Sequence, residues 1–268
     1  MPPKTADITF PRADHPLDPP PGFVDQAAAL GIAFDEGDLD RLGRYLALLI
    51  AANEVVNLTA VKDPAEAWTR HILDSLSLLA VLADLPDGAR VIDVGTGGGL
   101  PGVPLAIAAP RLRFTLLDAT GKKIRFLEHA VRELGLANAE PVQARAEEAA
   151  GYNAPMRGAF DAVVSRAVGR LPTLLELTVP FARAAEDAPR PNAGEPAPGG
   201  LIALVKGQQA DEELAEAKQA MHLLHAAHAG TIDTPTGRIV VVEKLRKTPR
   251  QYPRPNGEPK RRPLGAAR

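Results

Sequence analysis

Two aspartates and a run of glycines are the residues of this sequence best suited to holding a nucleotide. Asp93 lies in the apolar run VIDV, and glycines follow it at positions 95, 97, 98, 99 and 102. Asp118 ends a second apolar run, FTLLD, about 23 residues beyond Gly95, the spacing at which an acid meets a ribose hydroxyl. So many glycines cost backbone entropy on folding. They are therefore expected where the chain needs positive φ angles or where a ligand lies close to the main chain. A strand, a glycine loop and a helix N-terminus predict an adenosine-type cofactor.

The elements around these residues alternate between strand and helix. Apolar runs predict strands at 91–94, 113–117, 139–143, 160–165 and 201–206, with helices at 101–109, 122–134, 171–183 and 211–225. Alternation at this spacing indicates βαβ units and a parallel sheet covered by helices on both faces. The end of the pattern differs, because Ile232, a turn at Thr236-Gly237 and residues 238–242 predict an antiparallel hairpin at the sheet edge.

The residues before this sheet predict a helical region. Residues 23–34 and 39–52 carry aliphatic side chains at helical spacing, and Asp63-Pro64 is a typical cap for a further helix. On that helix Arg70, His71, Asp74 and Ser75 share a polar face. This face is either a solvated surface or a lid over the cofactor.

Composition excludes several kinds of chemistry. The chain has 268 residues, 45% of them hydrophobic, and no cysteine. Disulfides, thiolate zinc sites, cysteine-held iron–sulfur clusters and cysteine nucleophiles are therefore ruled out. No apolar stretch is long enough for a bilayer, and the N-terminus lacks a signal-peptide pattern, so we expect a cytoplasmic protein without a membrane partner. We assign no metal site, because His222, His225 and His228 drift round the predicted helix.

Charge is distributed unevenly along the chain. The net charge is −2, yet residues 244–268 hold nine basic residues and one acid. Residues 1–243 contain more acidic than basic residues. A basic segment on an acidic body predicts a polyanionic partner for that segment. The predicted organisation is a disordered tail over 1–22, a helical cap over 23–85, a sheet domain over 86–245 with a disordered insertion at 184–199, and a basic extended tail over 246–268.

At finer grain the sequence resembles the RsmG or GidB family of small-subunit ribosomal RNA guanine-N7 methyltransferases. The matching stretches are NEVVNLTAV, RHILDSL, VIDVGTGGGLPGVPLAI, FTLLDATGKKIRFL, VQARAEE, FDAVVSRAV and ALVKGQ. This resemblance implies a class I S-adenosylmethionine-dependent methyltransferase: a Rossmann-like α/β fold with a mostly parallel seven-stranded sheet, a terminal antiparallel hairpin and a helical N-terminal region. It also implies a 16S ribosomal RNA or small-subunit precursor as substrate, modified in the 530 loop, and a monomeric enzyme.

The resemblance also implies a set of site residues. The cofactor S-adenosylmethionine would be held by Asp93, Gly95, Gly97, Leu100, Asp118, Ala146, Glu147 and Arg166. Of these, Asp118 would hold the ribose hydroxyls, while Ala146 and Glu147 would line the adenine. The residues expected to act on the substrate are Arg166, Lys206, His71 and Asn57.

The residues that are absent favour methylation of a ring nitrogen. Without cysteine, pyrimidine C5 methylation through a thiolate is excluded, and SRAVGRL stands where exocyclic-amine methyltransferases carry a proline-proline-aromatic stretch. Guanine N7 has an in-plane lone pair and no proton to lose, so alignment and charge stabilisation suffice. The alternatives are a protein or small-molecule methyltransferase on the same fold, a non-catalytic RNA-binding assembly factor, and an NAD-dependent oxidoreductase.

Overall fold

The computed structural model describes residues 8–13, 15–166, 169–188 and 198–265. Within these ranges the strands are β1 (Arg90–Val94), β2 (Arg113–Asp118), β3 (Ala139–Gln143), β4 (Ala162–Ser165), β5 (Leu201–Lys206), β6 (Ala226–Thr234) and β7 (Gly237–Lys244). None of the helices found in the described residues has the length and apolarity needed to cross a bilayer.

The helices fall before, between and after these strands. They are α1 (Phe23–Ala29), α2 (Asp38–Asn53), α3 (Pro64–Ala67), a π-helix (Trp68–Leu73), α4 (Asp74–Leu76), α5 (Leu79–Leu82), α6 (Gly102–Ala108), α7 (Gly121–Glu133), α8 (Ala146–Ala149), α9 (Leu171–Thr178), α10 (Ala210–Glu216), α11 (Lys218–Leu224) and α12 (Glu258–Arg261). Short 3-10 turns lie at Val179–Phe181 and Ala185–Asp187.

The strands form one seven-stranded sheet in the order β3-β2-β1-β4-β5-β7-β6. The first five pair in parallel, while β7 runs antiparallel to both β5 and β6. This arrangement confirms the predicted Rossmann-like fold with a terminal hairpin. Because β1, β2 and β4 are parallel neighbours, their carboxyl ends bring Val94, Asp118 and Ser165 to one edge of the sheet, where open α/β folds place their ligands.

Two apolar layers cover the two faces of the sheet. One contains the N-terminal helices, where Trp68 is fully buried and its ring meets that of Phe23 edge-on at 4.7 Å. The other lies beneath α9 and α11 and includes Leu175 and Leu224. The helical N-terminal region therefore packs against the sheet domain through a shared core, so the residues of the polar face near His71 have a fixed position.

The N-terminal segment differs from the predicted disordered tail over 1–22. Phe10 is 9% exposed and its ring lies 5.7 Å from that of Phe126. The carbonyl of Pro11 is 3.0 Å from His129 Nε2, and the backbone N–H of Leu17 donates to Gly43. Few apolar residues suffice here because they anchor on a core that other elements already form. Residues 1–7 and 14 lie outside the described residues.

The two remaining irregular segments also differ from expectation where they are described. Of the predicted insertion 184–199, residues 189–197 lie outside the described ranges, while Ala184 before them is buried. The prediction of a free extended tail over 246–268 is wrong for its described part. Tyr252 and Leu264 are each 7% exposed, because an apolar surface over α9 and α11 is available to cover them.

Where the sequence predicted one helix over 211–225, the structure has two, and the second of them is α11. It ends at Leu224, and His225 follows with a left-handed φ of 56°. His228 consequently lies in β6, so the three histidines do not share one helix.

Candidate active site

The glycine loop after β1 is fastened to the end of β2. The N–H groups of Gly95 and Thr96 donate to the carbonyl of Leu117 at 2.8 and 3.0 Å. Gly95 and Gly97 have φ angles of 75° and 61°, a conformation that side chains other than glycine rarely adopt. The loop thus turns sharply above the sheet edge and presents its main chain to the space beside β2.

Asp118 is held in position by this loop and by the start of α7. Its Oδ2 accepts from the N–H of Gly97 at 3.1 Å, and its Oδ1 accepts from the N–H of Thr120 at 2.8 Å. Lys123 Nζ lies 3.7 Å from Oδ2, and Asp118 is 8% exposed. The carboxylate is therefore oriented before any ligand arrives, as expected for a group that binds a ribose diol.

A cavity of about 210 Å³ opens beside Asp118. Its lining residues are Val94, Gly95, Leu117, Asp118, Ala119, Ala144, Arg145, Ala146, Glu147, Ser165, Leu174, Leu177 and Thr178. Apolar walls with a few fixed polar groups are typical of a site for a flat, partly polar ligand. The predicted Gly95, Asp118, Ala146 and Glu147 meet here although they come from three separate stretches of sequence.

Asp93 lies beneath the loop and is fully buried. Its Oδ2 accepts from the N–H of Gly102 at 2.8 Å, at the start of α6, while its Oδ1 has no hydrogen-bond partner within the described part of the chain. A Cβ on residue 102 would lie 2.3 Å from Leu116 and 2.8 Å from this carboxylate, so glycine is required. Burial raises the pKa of Asp93 to about 7 despite the Gly102 hydrogen bond.

His71 lies on the π-helix, a helix type that is frequent at functional sites. Its Nε2 is 2.7 Å from Thr59 Oγ1 and its Nδ1 is 3.3 Å from Arg166 Nη2. Since a guanidinium only donates, Nδ1 is the acceptor and the ring proton is on Nε2, directed at Thr59. Burial and the nearby Arg166 lower the pKa of His71 to about 4, so the ring is neutral at pH 7.

Arg166 and Asp74 form a polar cluster with His71 at the end of β4. Arg166 Nη1 and Asp74 Oδ1 are both buried, and neither has a hydrogen-bond partner among the residues that the structure describes. Asp74 Oδ2 accepts from the hydroxyl of Thr236 at the hairpin turn. Burial lowers the pKa of Arg166, which Asp74 opposes, and burial raises the pKa of Asp74. Unpaired buried polar atoms are costly, and they occur preferentially where a ligand completes the bonding.

Three predicted residues take other positions. Lys206 is 9% exposed and its Nζ is bound by Glu213 Oε2 at 2.8 Å and by the carbonyl of Gly169 at 2.6 Å. These contacts place its ammonium in the framework of the sheet edge. Leu100 packs against the core beneath the loop, outside the cavity beside Asp118. Asn57 is exposed in the loop before α3. Their predicted roles in catalysis and cofactor binding remain predictions.

Tyr45, Thr59 and Thr236 are site residues that sequence reasoning missed. Tyr45 is fully buried in α2 and donates to the carbonyl of Gly98 at 2.9 Å, which ties the helical region to the glycine loop. Thr59 and Thr236 bind His71 and Asp74 from distant segments. Thr59 does stand in the stretch NEVVNLTAV, while Thr236 carries no local signal besides its turn.

The residues present fit a bound adenosine group. Asp118 offers a fixed carboxylate for a diol, and the cavity between Leu117 and Ala146 offers apolar walls for a flat ring. The buried, unpaired Oδ1 of Asp93 lies below the loop, where it favours a positively charged ligand group near the loop.

The chain is similar to a family model, to curated relatives and to solved structures. A family model described as "GidB: rRNA small subunit methyltransferase G" matches residues 38–236. A ribosomal RNA small subunit methyltransferase G from Sorangium cellulosum is 47% identical over 94% of this chain and 99% of that protein. One from Leuconostoc citreum is 36% identical over 90% and 98%. A solved SAM dependent methyltransferase from Aquifex aeolicus, 18% identical, covers 68% of this chain and 93% of that one with a TM-score of 0.46.

Proposed function

The chain belongs to the rRNA small subunit methyltransferase G family, and from that premise we propose that it methylates N7 of a guanine in the 530 loop of small-subunit ribosomal RNA. Its cofactor is S-adenosylmethionine, which supplies an electrophilic methyl group on a sulfonium. The proposal therefore concerns the atom that is methylated, its place in the RNA, and the residues that act there.

On the cofactor side, we place the ribose on Asp118 and the adenine between Leu117 and Ala146. Gly95 and Gly97 would let the main chain approach the methionine part closely. Asp93, buried beneath the loop, would favour the positive end of the cofactor. These residues bind and orient, and none of them is required to form a covalent bond.

The observation that carries the N7 assignment is the engagement of both ring nitrogens of His71. Nδ1 accepts from Arg166, and the proton on Nε2 is directed at Thr59, so the ring has no lone pair left to remove a substrate proton. Methylation of an exocyclic amine or a ribose hydroxyl requires proton removal, whereas guanine N7 reacts through a lone pair. With His71 unable to act as a base, the cluster favours a reaction that depends on alignment of the substrate, as at N7.

Arg166 and Asp74 have the hydrogen-bonding groups to read guanine. Arg166 Nη1 can donate to O6 of the base, and Asp74 Oδ1 can accept from its N1–H or amino group, leaving N7 open. Adenine presents the opposite pattern at this edge and would leave both protein atoms unpaired. We assign guanine selectivity to this pair, with His71 holding Arg166 in place.

The test is to map N7-methylguanine in ribosomal RNA from cells with and without this protein, and then with the purified enzyme. Loss of one N7-methylguanine in the 530 loop, restored by the purified chain and S-adenosylmethionine, is expected. A methyl group found on another atom of the same RNA would overturn the N7 assignment. A modified guanine elsewhere would overturn the 530-loop assignment.

We also propose that the enzyme acts as a monomer in the cytoplasm, where ribosomal RNA is available. The residues assigned to cofactor and base all come from one chain, so no second copy is needed to complete the site. Sedimentation of the active enzyme at assay concentration tests this, and activity confined to a dimer fraction would contradict it.

A further inference from the structure

The C-terminal strap, defined as residues 248–265, lies beyond the region that the family model matches and packs over two helices of the cofactor cavity. Arg157 fastens its beginning, donating to the carbonyls of Thr248 and Tyr252 at 2.7 Å each. Leu264 near its end is buried in the same apolar layer as Leu224. The strap is therefore anchored at both ends.

The middle of the strap is bound to α9 through a buried ion pair. Arg254 Nε and Nη2 donate to the carboxylate of Glu176 at 2.6–3.1 Å, and Glu176 also accepts from the backbone N–H of Arg254. Glu176 is fully buried, so this paired geometry is required there. Leu174, Leu177 and Thr178 of the same helix line the cavity beside Asp118.

The next residues of the strap are bound to α8. The N–H of Gly257 donates to Glu147 Oε1 at 2.9 Å, and the Asn256 amide donates to the carboxylate of Glu148. Helix α8 has four residues, too few to be stable by itself in water. Its Ala146 and Glu147 are nevertheless walls of the cavity. Contacts from outside the helix must therefore fix those walls.

We propose that the C-terminal strap is a positioning element of the cofactor site, and that it does so by holding α8 against α9. The inference rests on the proposed placement of the cofactor in the cavity beside Asp118. Gly257 fixes the side chain of Glu147, and Arg254 fixes the helix on the opposite wall, so the adenine slot has a defined width. The strap itself touches the walls and has no part in methyl transfer.

The strap also carries charge, which allows a second role to be separated by experiment. Lys260, Arg261 and Arg262 have exposed side chains on and just after α12. If the strap served RNA binding alone, removing these charges would reproduce every effect of removing the strap. If the strap positions the walls of the cavity, removing the strap weakens cofactor binding, whereas removing only its charges affects RNA binding.

The test compares a chain ending at Pro255 with a matched control ending at Gly265, using calorimetric titration with S-adenosylhomocysteine. The shorter chain lacks the hydrogen bonds of Gly257 and Asn256 but keeps the Arg254 pair. We expect its dissociation constant to rise about tenfold, the change that one charge-assisted hydrogen bond supports. The KM for S-adenosylmethionine should rise in parallel, with kcat at saturating cofactor preserved, which a general loss of folded enzyme would not produce.

Asn256→Asp in the full chain provides a second measure, because it places a carboxylate against Glu148 while the strap remains. It should weaken cofactor binding in the same direction, and Asn256→Ser, which keeps a donor, should restore it. A triple variant with Lys260, Arg261 and Arg262 replaced by Gln should bind S-adenosylhomocysteine like the control. Affinities of the Pro255 chain and Asn256→Asp within about twofold of the control would overturn the inference. Failure of the control chain itself to bind would instead overturn the proposed cofactor site.

Discussion

The proposed site has a cofactor side, around Asp118, and an acceptor side, around Arg166, where the base would bind. The two sides are built in different ways. On the cofactor side, Asp118 is held by backbone N–H groups from Gly97 and Thr120, within a few residues of the two strand ends. On the acceptor side, Arg166 is held by His71, and His71 in turn by Thr59. The first side depends on main-chain geometry, and the second on side chains brought together from distant parts of the chain.

The two sides also differ in how completely their polar atoms are bonded. Both oxygens of Asp118 have partners, whereas Arg166 Nη1 and Asp74 Oδ1 are buried without one. A bonded carboxylate is ready for a ligand that adds to it, while an unbonded pair gains most when a substrate arrives. In the function that we propose, the cofactor side is therefore preformed and the acceptor side is completed by the base.

Arg166→Ala is expected to have the largest effect. Removing the guanidinium takes away the donor that we assign to guanine O6 and frees the Nδ1 of His71, so kcat should fall by about 10²-fold or more. Affinity for S-adenosylhomocysteine should stay near that of the unchanged enzyme, since Asp118 and the cavity are intact. Single-turnover methyl transfer and calorimetry measure the two quantities.

Arg166→Lys serves as the matched control for this change. Lysine keeps the charge but cannot reach His71 and the base together, so partial activity is expected. Near-normal turnover by Arg166→Ala would remove this residue from the acceptor side, and the distinction between the two sides would lose its main support.

Asp118→Ala is expected to show the reverse pattern. Loss of the hydrogen bonds from the ribose to a charged group should weaken cofactor binding by about 1.5–3 kcal/mol. The turnover at saturating cofactor should change much less than in Arg166→Ala. Asp118→Asn keeps one acceptor, so its cofactor affinity, measured by calorimetry, should lie between that of Asp118→Ala and that of the unchanged enzyme. Unchanged affinity in Asp118→Ala would show that the ribose is held elsewhere.

The sequence predicted the glycine loop and the position of Asp118 at the end of a strand because these signals are local. A strand, positive-φ glycines and a terminal acid must lie within a short stretch to work, so Asp93, Gly95 and Asp118 are readable from spacing. The family resemblance added Ala146 and Glu147, which line the same cavity. The parallel sheet followed from alternation, and β1 pairs with β2 in parallel, as a sheet of βαβ units requires.

The acceptor side and the termini could not be predicted to the same degree. The partner of Asp74 is Thr236, 162 residues away, and no local pattern indicates that contact. Lys206 was assigned to catalysis by the family resemblance, yet Glu213 lies within reach and pairs with it. The N-terminal tail was assigned to disorder and the C-terminal tail to an extended arm because both are rich in proline, but proline-rich segments can still pack wherever Phe10 or Tyr252 finds a surface.

A pH series tests whether His71 is a buried neutral group, as the acceptor side requires. Its folded pKa of about 4 lies below the ordinary value of 6.5, so the unfolded chain binds the proton more readily between these values. Protonation of His71 should therefore lower the free energy of unfolding as the pH falls, by about 1–2 kcal/mol between pH 6.5 and about 5. Asp93, with its pKa raised to about 7, contributes the opposite slope over the same window, because its stability cost grows as pH rises.

The difference between the unchanged protein and His71→Gln isolates the histidine, since Asp93 is common to both. Urea unfolding at each pH should show the two free energies of unfolding diverging towards neutral pH and converging in acid. A constant gap across the series would mean that folding does not lower the pKa of His71, and the buried environment that we assign to the ring would be contradicted.

The smallest expected effect concerns the RNA and the exposed charges of the strap. Several basic residues of the C-terminal region are already committed, with Lys247 paired to Asp187, Arg254 to Glu176 and Lys244 buried. Exposed basic residues of this region include Arg246, Arg250 and the adjacent Lys260, Arg261 and Arg262, and the last three are our candidates for phosphate contacts.

Replacing these three side chains with Gln should weaken binding of ribosomal RNA through the phosphates alone. Removing one phosphate contact should lower the slope of log affinity against log salt by about 0.7–0.9. We expect the RNA affinity of the triple variant to fall a few fold at low salt, with a slope reduced by about 1–2. Binding of S-adenosylhomocysteine should not change, because the contacts of Gly257 and Arg254 remain. Equal salt slopes for the two proteins would show that this part of the strap does not meet RNA.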